Sequence, residues 1–120
     1  MKIIEPCTLV IFGAAGNLSR RKLIPALFSL EKVGRLPDKL VLLACNVEQR
    51  RREEWVVEVC SILEPLYPQG LDRPALERFC ARWHYHASAP GDDAAYQRLQ
   101  QMVEEDEAFP ANVVFYMAVR

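Results

Sequence analysis

Leu9-Val10-Ile11-Phe12-Gly13-Ala14-Ala15-Gly16-Asn17-Leu18-Ser19 is the stretch on which the fold turns. Its first four residues are apolar and partly β-branched, the pattern of a short strand buried on both faces, as in a parallel sheet. Gly13 and Gly16 interrupt the run. Apolar residues then resume at Leu23, Leu27 and Leu30, with Val33 three further on, the spacing of one helix face. Gly13 lets the chain bend without a Cβ to clash, and Gly16 lets backbone amides come close to a phosphate. The helix start adds unpaired N–H groups and the positive end of its dipole. That end contributes roughly 0.3–2 kcal/mol to a bound anion. In a doubly wound sheet the first strand-to-helix turn is where dinucleotides bind. The complete G-x-G-x-x-G is absent because Ala14 and Ala15 separate the glycines, so a plain turn glycine-rich for packing is the competing reading. Asn17 suits either a helix cap or a phosphate contact, and the two roles are compatible.

Working outward, Leu40 to Cys45 is a second buried run and Asn112 to Val119 a third. Trp83-His84-Tyr85-His86 is a weaker strand candidate. Between them lie helical patterns. Gly34 stops the first helix, and Leu36-Pro37-Asp38 turns the chain. Val56, Val59, Cys60 and Leu63 form the next apolar stripe, ended by Pro65 and Pro68. Asp72 and Pro74 open a short helix reaching about Ala81. A last helix is expected over Asp92–Glu105, with Tyr96, Leu99 and Val103 inward; the acidic Glu104-Glu105-Asp106-Glu107 reads as solvated. Pro25 conflicts with a regular helix, so the first turn must be irregular or kinked. This alternation predicts an α/β fold: the first half of a Rossmann-like doubly wound parallel sheet, about four strands in the order 3-2-1-4. Residues 1–120 read as one partial domain.

The 120 residues are 51% apolar and 26% charged, the mix of an ordinary soluble domain. Fifteen basic residues nearly balance sixteen acidic ones, which argues against a nucleic-acid binder. No apolar run approaches a membrane span, and Glu5-Pro6 stands where an export signal would carry its apolar core. Four widely spaced cysteines, Cys7, Cys45, Cys60 and Cys80, contain no CxxC and read as small buried hydrophobes in a reducing compartment. No metal site is expected.

From Gly13 to Leu27, Gly-Ala-Ala-Gly-Asn-Leu-Ser-Arg-Arg-Lys-Leu-Ile-Pro-Ala-Leu closely resembles the opening of glucose-6-phosphate dehydrogenases, which read G-x-x-G-D-L-x-x-[RK]-K-L-x-P-[AS]-L after the first strand. Gly34-Arg-Leu-Pro37, Phe79-Cys-Ala-Arg82, Asp93-Ala-Ala-Tyr96-Gln-Arg-Leu99 and Asn112-Val-Val-Phe-Tyr-Met-Ala-Val119 resemble later segments of that family, in order. The resemblance makes Pro25 a family feature. It implies oxidation of glucose 6-phosphate to the lactone, at the start of the pentose phosphate pathway, with NADP or NAD as hydride acceptor, in the cytoplasm. Carried over, Gly13, Ala14, Ala15, Gly16, Asn17, Leu18, Ser19 and Arg20 cradle the coenzyme pyrophosphate. Lys22 approaches the sugar phosphate. Tyr116 and Ala118 lie on the strand whose carboxyl end sits below the nicotinamide.

Three departures qualify that picture. Asn17 replaces the family's aspartate. Val47 and Glu48 stand where an arginine usually pairs with the 2′-phosphate of NADP; a carboxylate there favours the ribose hydroxyls of NAD. Arg50, Arg51 and Arg52 are displaced substitutes for that arginine or a solvated run. Finally, the segment that carries the family's catalytic histidine lies beyond Arg120, and neither His84 nor His86 matches it, so no catalytic residue is expected here and glucose 6-phosphate would be a partner only of a full-length enzyme. Three readings follow: a coenzyme-binding domain inactive by itself, a non-catalytic module that binds a dinucleotide or self-associates through its exposed last strand, and a small reductase of another Rossmann family.

Overall fold

A computed structural model describes residues 7–87, 97–98, 101 and 113–117. Four parallel strands form its sheet: β1 (Thr8–Phe12), β2 (Val41–Asn46), β3 (Trp83–Ala87) and β4 (Val113–Met117). Their spatial order is β3-β2-β1-β4, as the alternation of elements predicts. Leu9 pairs with Leu42 and Val114, and Ile11 with Ala44 and Tyr116. The weak candidate Trp83–His86 is a genuine strand, pairing Leu42 with Trp83 and Cys45 with His86.

Three helices connect the first three strands: α1 (Ile24–Lys32), α2 (Arg52–Leu63) and α3 (Arg73–Ala81). Side chains alternate across a strand, and two apolar clusters result. Leu9, Ile11, Leu42, Ala44 and Trp83 pack with the three helices in the main core. Val10, Leu43 and Cys45 form a smaller cluster on the opposite face, joined by Phe12, Val41 and Val113. A chain of edge-on aromatic contacts spans the main core, from Phe28 on α1 to Phe79 on α3 at 5.4 Å, then to Trp83 at 5.8 Å and Trp55 on α2 at 5.5 Å. Each such pair adds about 0.5–1.5 kcal/mol beyond area burial.

Local chemistry fixes the ends of these helices. Residues Ser19–Leu23 form a wider π-type turn before α1, closed by the Ile24 N–H on the Ser19 carbonyl. Pro25 has no N–H to continue a regular ladder, so of the two outcomes expected there the irregular first turn is realised. At the other end Gly34 takes φ 72°; its N–H bonds to Glu31 O and that of Arg35 to Leu30 O. These are the two bonds of a Schellman stop, which glycine permits. The stop also leaves Val33 two-thirds exposed, outside the stripe its spacing suggested, whereas the polar Glu31 is buried. Asp72 caps α3 by accepting from Ala75 N–H at 3.2 Å. Gln97, Arg98 and Gln101 are helical; the rest of the helix expected over Asp92–Glu105, and the acidic run after it, fall outside the described residues.

Candidate functional site: the turn at the carboxyl end of β1

Gly13 follows Phe12 with φ 75°, a conformation that would strain a side chain. Its N–H and that of Ala14 both reach the carbonyl of Cys45, the β2 residue beside Phe12, at 3.0 and 3.3 Å. Gly16 N–H bonds to Gly13 O at 2.9 Å, and Arg20 N–H to Gly16 O at 3.0 Å. The turn is therefore anchored to the neighbouring strand through amides that the sequence reading left open for a ligand. Those of Ala15, Asn17 and Leu18 take no part in these bonds, and a first helical turn has no internal acceptors for its amides. Asn17 and Leu18 are exposed, and the residue at the N-cap of the π-type turn is Leu18, whose side chain makes no capping bond. The next residue, Ser19, is fully buried, and its hydroxyl makes no hydrogen bond. Uncommitted amides at the start of a helix, followed by an unpartnered buried hydroxyl, suit an anion such as a pyrophosphate.

The three cations after the turn separate. Arg20 reaches across to α2 and pairs with Glu58 at 3.0 Å. Arg21 and Lys22 are exposed. Tyr116 stands opposite Ile11, one residue before the end of β4, and packs against the main core. Ala118 lies outside the described residues.

At the carboxyl end of β2, Val47 is exposed. The Glu48 carboxylate accepts from Arg50 Nη2 at 2.7 Å, and the Glu48 carbonyl accepts from the Tyr85 hydroxyl at 2.6 Å. Burial pushes the Tyr85 phenol up, and Arg50 beside it opposes the shift. Arg50 Nε also lies 3.3 Å from Glu58. Two neighbouring arginines are employed elsewhere. Arg51 lies 3.4 Å from Glu54 on the outside of α2. Arg52 donates to the carbonyls of Trp83 at 2.7 Å and Cys80 at 2.8 Å, tying α2 to the end of α3. Glu58 and Tyr85 carry no signal in the sequence, since they reach this place from α2 and β3.

The remaining reactive side chains do not converge on the turn. His84 and His86 are half-buried on β3. Cys7 and Cys45 are buried, and burial pushes the Cys45 thiol up to about 12. Cys60 and Cys80 approach to 4.0 Å between α2 and α3. Among the described residues no three His, Cys, Asp or Glu side chains are grouped to hold a metal, and no helix is long and apolar enough to cross a membrane.

The chain leaves β1 toward β2 and β3 and returns on the other flank as β4. The glycine turn sits at that reversal, where doubly wound sheets bind their ligands. Fold and site together define a dinucleotide-binding domain of the Rossmann type. Residues 10–120 match the model of the glucose-6-phosphate dehydrogenase NAD-binding domain. A glucose-6-phosphate 1-dehydrogenase of Chlamydia pneumoniae is 35% identical over 116 residues, which are 94% of this chain and 23% of that protein. One from Gluconobacter oxydans is 39% identical over 83 residues, 68% of this chain and 17% of the relative. A solved glucose-6-phosphate dehydrogenase in complex with glucose 6-phosphate superposes with a TM-score of 0.83 at 26% identity, covering 100% of this chain and 25% of that one. The chain belongs to the glucose-6-phosphate dehydrogenase family, in the part that forms its NAD(P)-binding domain. It spans about a quarter or less of the relatives it matches.

Proposed function

We propose that residues 1–120 belong to the coenzyme-binding domain of a glucose-6-phosphate 1-dehydrogenase and seat the pyrophosphate of NAD or NADP at the turn after β1. The carrying observation is the set of amides at Ala15, Asn17 and Leu18 left out of the turn's own hydrogen bonds, with the unpartnered Ser19 hydroxyl next in the chain, at the reversal point of the sheet. In this reading Gly13, Ala14 and Gly16 build the seat rather than donate to the ligand, because their N–H groups serve the fold. Arg20 follows the seat, its charge offset by the pair with Glu58. Tyr116 and Ala118 underlie the nicotinamide, and Lys22 points the sugar phosphate toward it. The coenzyme, when bound, accepts the hydride from the sugar. These residues bind and orient it, and the base that takes the sugar's proton comes from outside them.

Calorimetric titration of the purified chain with NAD and with NADP tests the reading. Saturable binding of either, abolished by inorganic pyrophosphate in excess, is expected. Absence of binding to both, or glucose-6-phosphate oxidation by this chain alone, would overturn it. The edge strand β4, with Val114 and Phe115 each 47% exposed, supports a second reading in which copies associate through that edge. Size-exclusion chromatography across a concentration series checks it, and a monomer throughout would sink it.

A further inference from the structure

We propose that Cys60 and Cys80 form a dithiol site, which a small disulfide such as glutathione disulfide oxidises to an intramolecular bond joining α2 to α3. The proposal goes beyond the coenzyme reading and does not depend on it. The two sulfurs lie 4.0 Å apart, although the residues are 20 positions apart in the chain. Packing has already docked the two backbones. The start of α2 lies against the end of α3, where Arg52 donates to the Cys80 carbonyl at 2.8 Å. A disulfide bond is about 2 Å long, so rotation of the side chains has about 2 Å to close. Cys7 and Cys45 belong to apolar clusters on opposite faces of the sheet, which keeps them from meeting each other.

Both residues are partly exposed. Cys60 lines an open cavity of about 440 Å³ together with Glu64, Tyr67, Arg73 and Leu76, and Cys80 does not. Glu64 and Arg73 are exposed there and offer opposite charges to the ammonium and carboxylate groups of glutathione. Cys60 is therefore the sulfur met first. As the thiolate it attacks one sulfur of glutathione disulfide. That S–S bond breaks, one glutathione leaves and takes up a proton, and the other stays on Cys60 as a mixed disulfide. Cys80 then attacks the Cys60 sulfur, and its proton passes to the second glutathione as that leaves. The two protein thiols lose two electrons, and one glutathione disulfide becomes two glutathione thiols. Burial and the neighbouring Cys60 push the Cys80 thiol up to about 12, against the opposing pull of Arg52, so Cys80 holds its proton while Cys60 reacts.

The test exposes the reduced, folded chain to glutathione disulfide, blocks the remaining thiols by alkylation and maps the products by peptide mass spectrometry. A single Cys60–Cys80 link within one chain is expected, with the four thiols of the reduced protein falling to two. The linked chain should melt about 10 °C above the reduced one, and dithiothreitol should reverse both changes. Cys80→Ser should instead keep one glutathione on Cys60, because no second thiol displaces it. Cys60→Ser should form no link and take up glutathione about tenfold more slowly. If either serine variant fails to fold, the map of the wild-type chain decides alone. Four unreacted thiols, lasting glutathione on both cysteines, or links only between chains would overturn the proposal. So would a linked chain that melts below the reduced one, since its bond would form only by breaking the packing of α2 on α3. None of these results bears on coenzyme binding.

Discussion

The Arg82 guanidinium donates to the Glu31 carboxylate at 2.6 Å, and both side chains are buried. The contact joins the last turn of α1 to the residue between α3 and β3, 51 positions away. A second Arg82–Glu31 bond at 3.3 Å makes the pair a fork, and Arg82 Nη1 also donates to the carbonyls of Pro37 at 2.6 Å and Leu40 at 2.9 Å. Arg82 thereby pins the α1–β2 loop, and with it the start of β2, whose other end holds the glycine turn.

Removing Arg82 leaves the buried Glu31 carboxylate with only the looser and half-exposed Arg78, 3.8 Å away, to offset its charge. Arg82→Met is therefore expected to lower stability by about 3–5 kcal/mol, with Glu31→Leu added to it restoring part of the loss. Denaturant unfolding of the two variants checks this. If Arg82→Met costs no more than an ordinary surface change, the pair is not buried as described.

At Gly13 the backbone adopts φ 75°. Gly13→Ala should cost about 1–2 kcal/mol by forcing a side chain into the left-handed region. It should also loosen the two amides that clasp Cys45 O, and so weaken NAD binding. Thermal unfolding with and without NAD separates the two effects. A variant as stable as wild type would contradict the conformation at this turn.

Ser19→Ala tests the unpartnered hydroxyl. Deleting a buried polar group with no partner should leave the free chain equally or more stable, by up to about 1–3 kcal/mol. Coenzyme affinity should fall if the hydroxyl completes the anion seat. A destabilised variant with unchanged affinity would show that Ser19 serves the fold instead.

Alkaline stability follows from Cys45. Its thiol, ordinarily near 9.0, is pushed up to about 12 by burial. Below about pH 9 it is protonated in both folded and unfolded chains and its contribution is fully present. Between pH 9 and 12 only the unfolded chain releases the proton, so stability falls, by about 1.4 kcal/mol per pH unit for one such group. Unfolding under reducing conditions should show the gap between wild type and Cys45→Ala narrowing from pH 8 to 11. A constant gap would mean that the thiol is not shielded.

The strand order, the glycine turn and the Asp72 cap were all legible in the residues, because each rests on local rules: a continuous apolar run for a two-sided strand, glycine for a bend, a short polar side chain for a helix start. Even the conflict at Pro25 announced the irregular turn of Ser19–Leu23, since a missing N–H is a property of one residue. Which side chains meet was another matter. Nothing local says that Glu31 is buried while Val33 is exposed, that Arg82 seeks it, or that Glu58 and Tyr85 arrive beside Arg50. Of three adjacent arginines the sequence could not choose one, because their partners come from α2, α3 and β3. Chain chemistry determined the sheet and the glycine turn at which we propose an anion sits. Only the tertiary structure decided which amides of that turn the fold itself employs and which charges pair beside it, because hydrogen bonds and ion pairs depend on distances that packing alone sets.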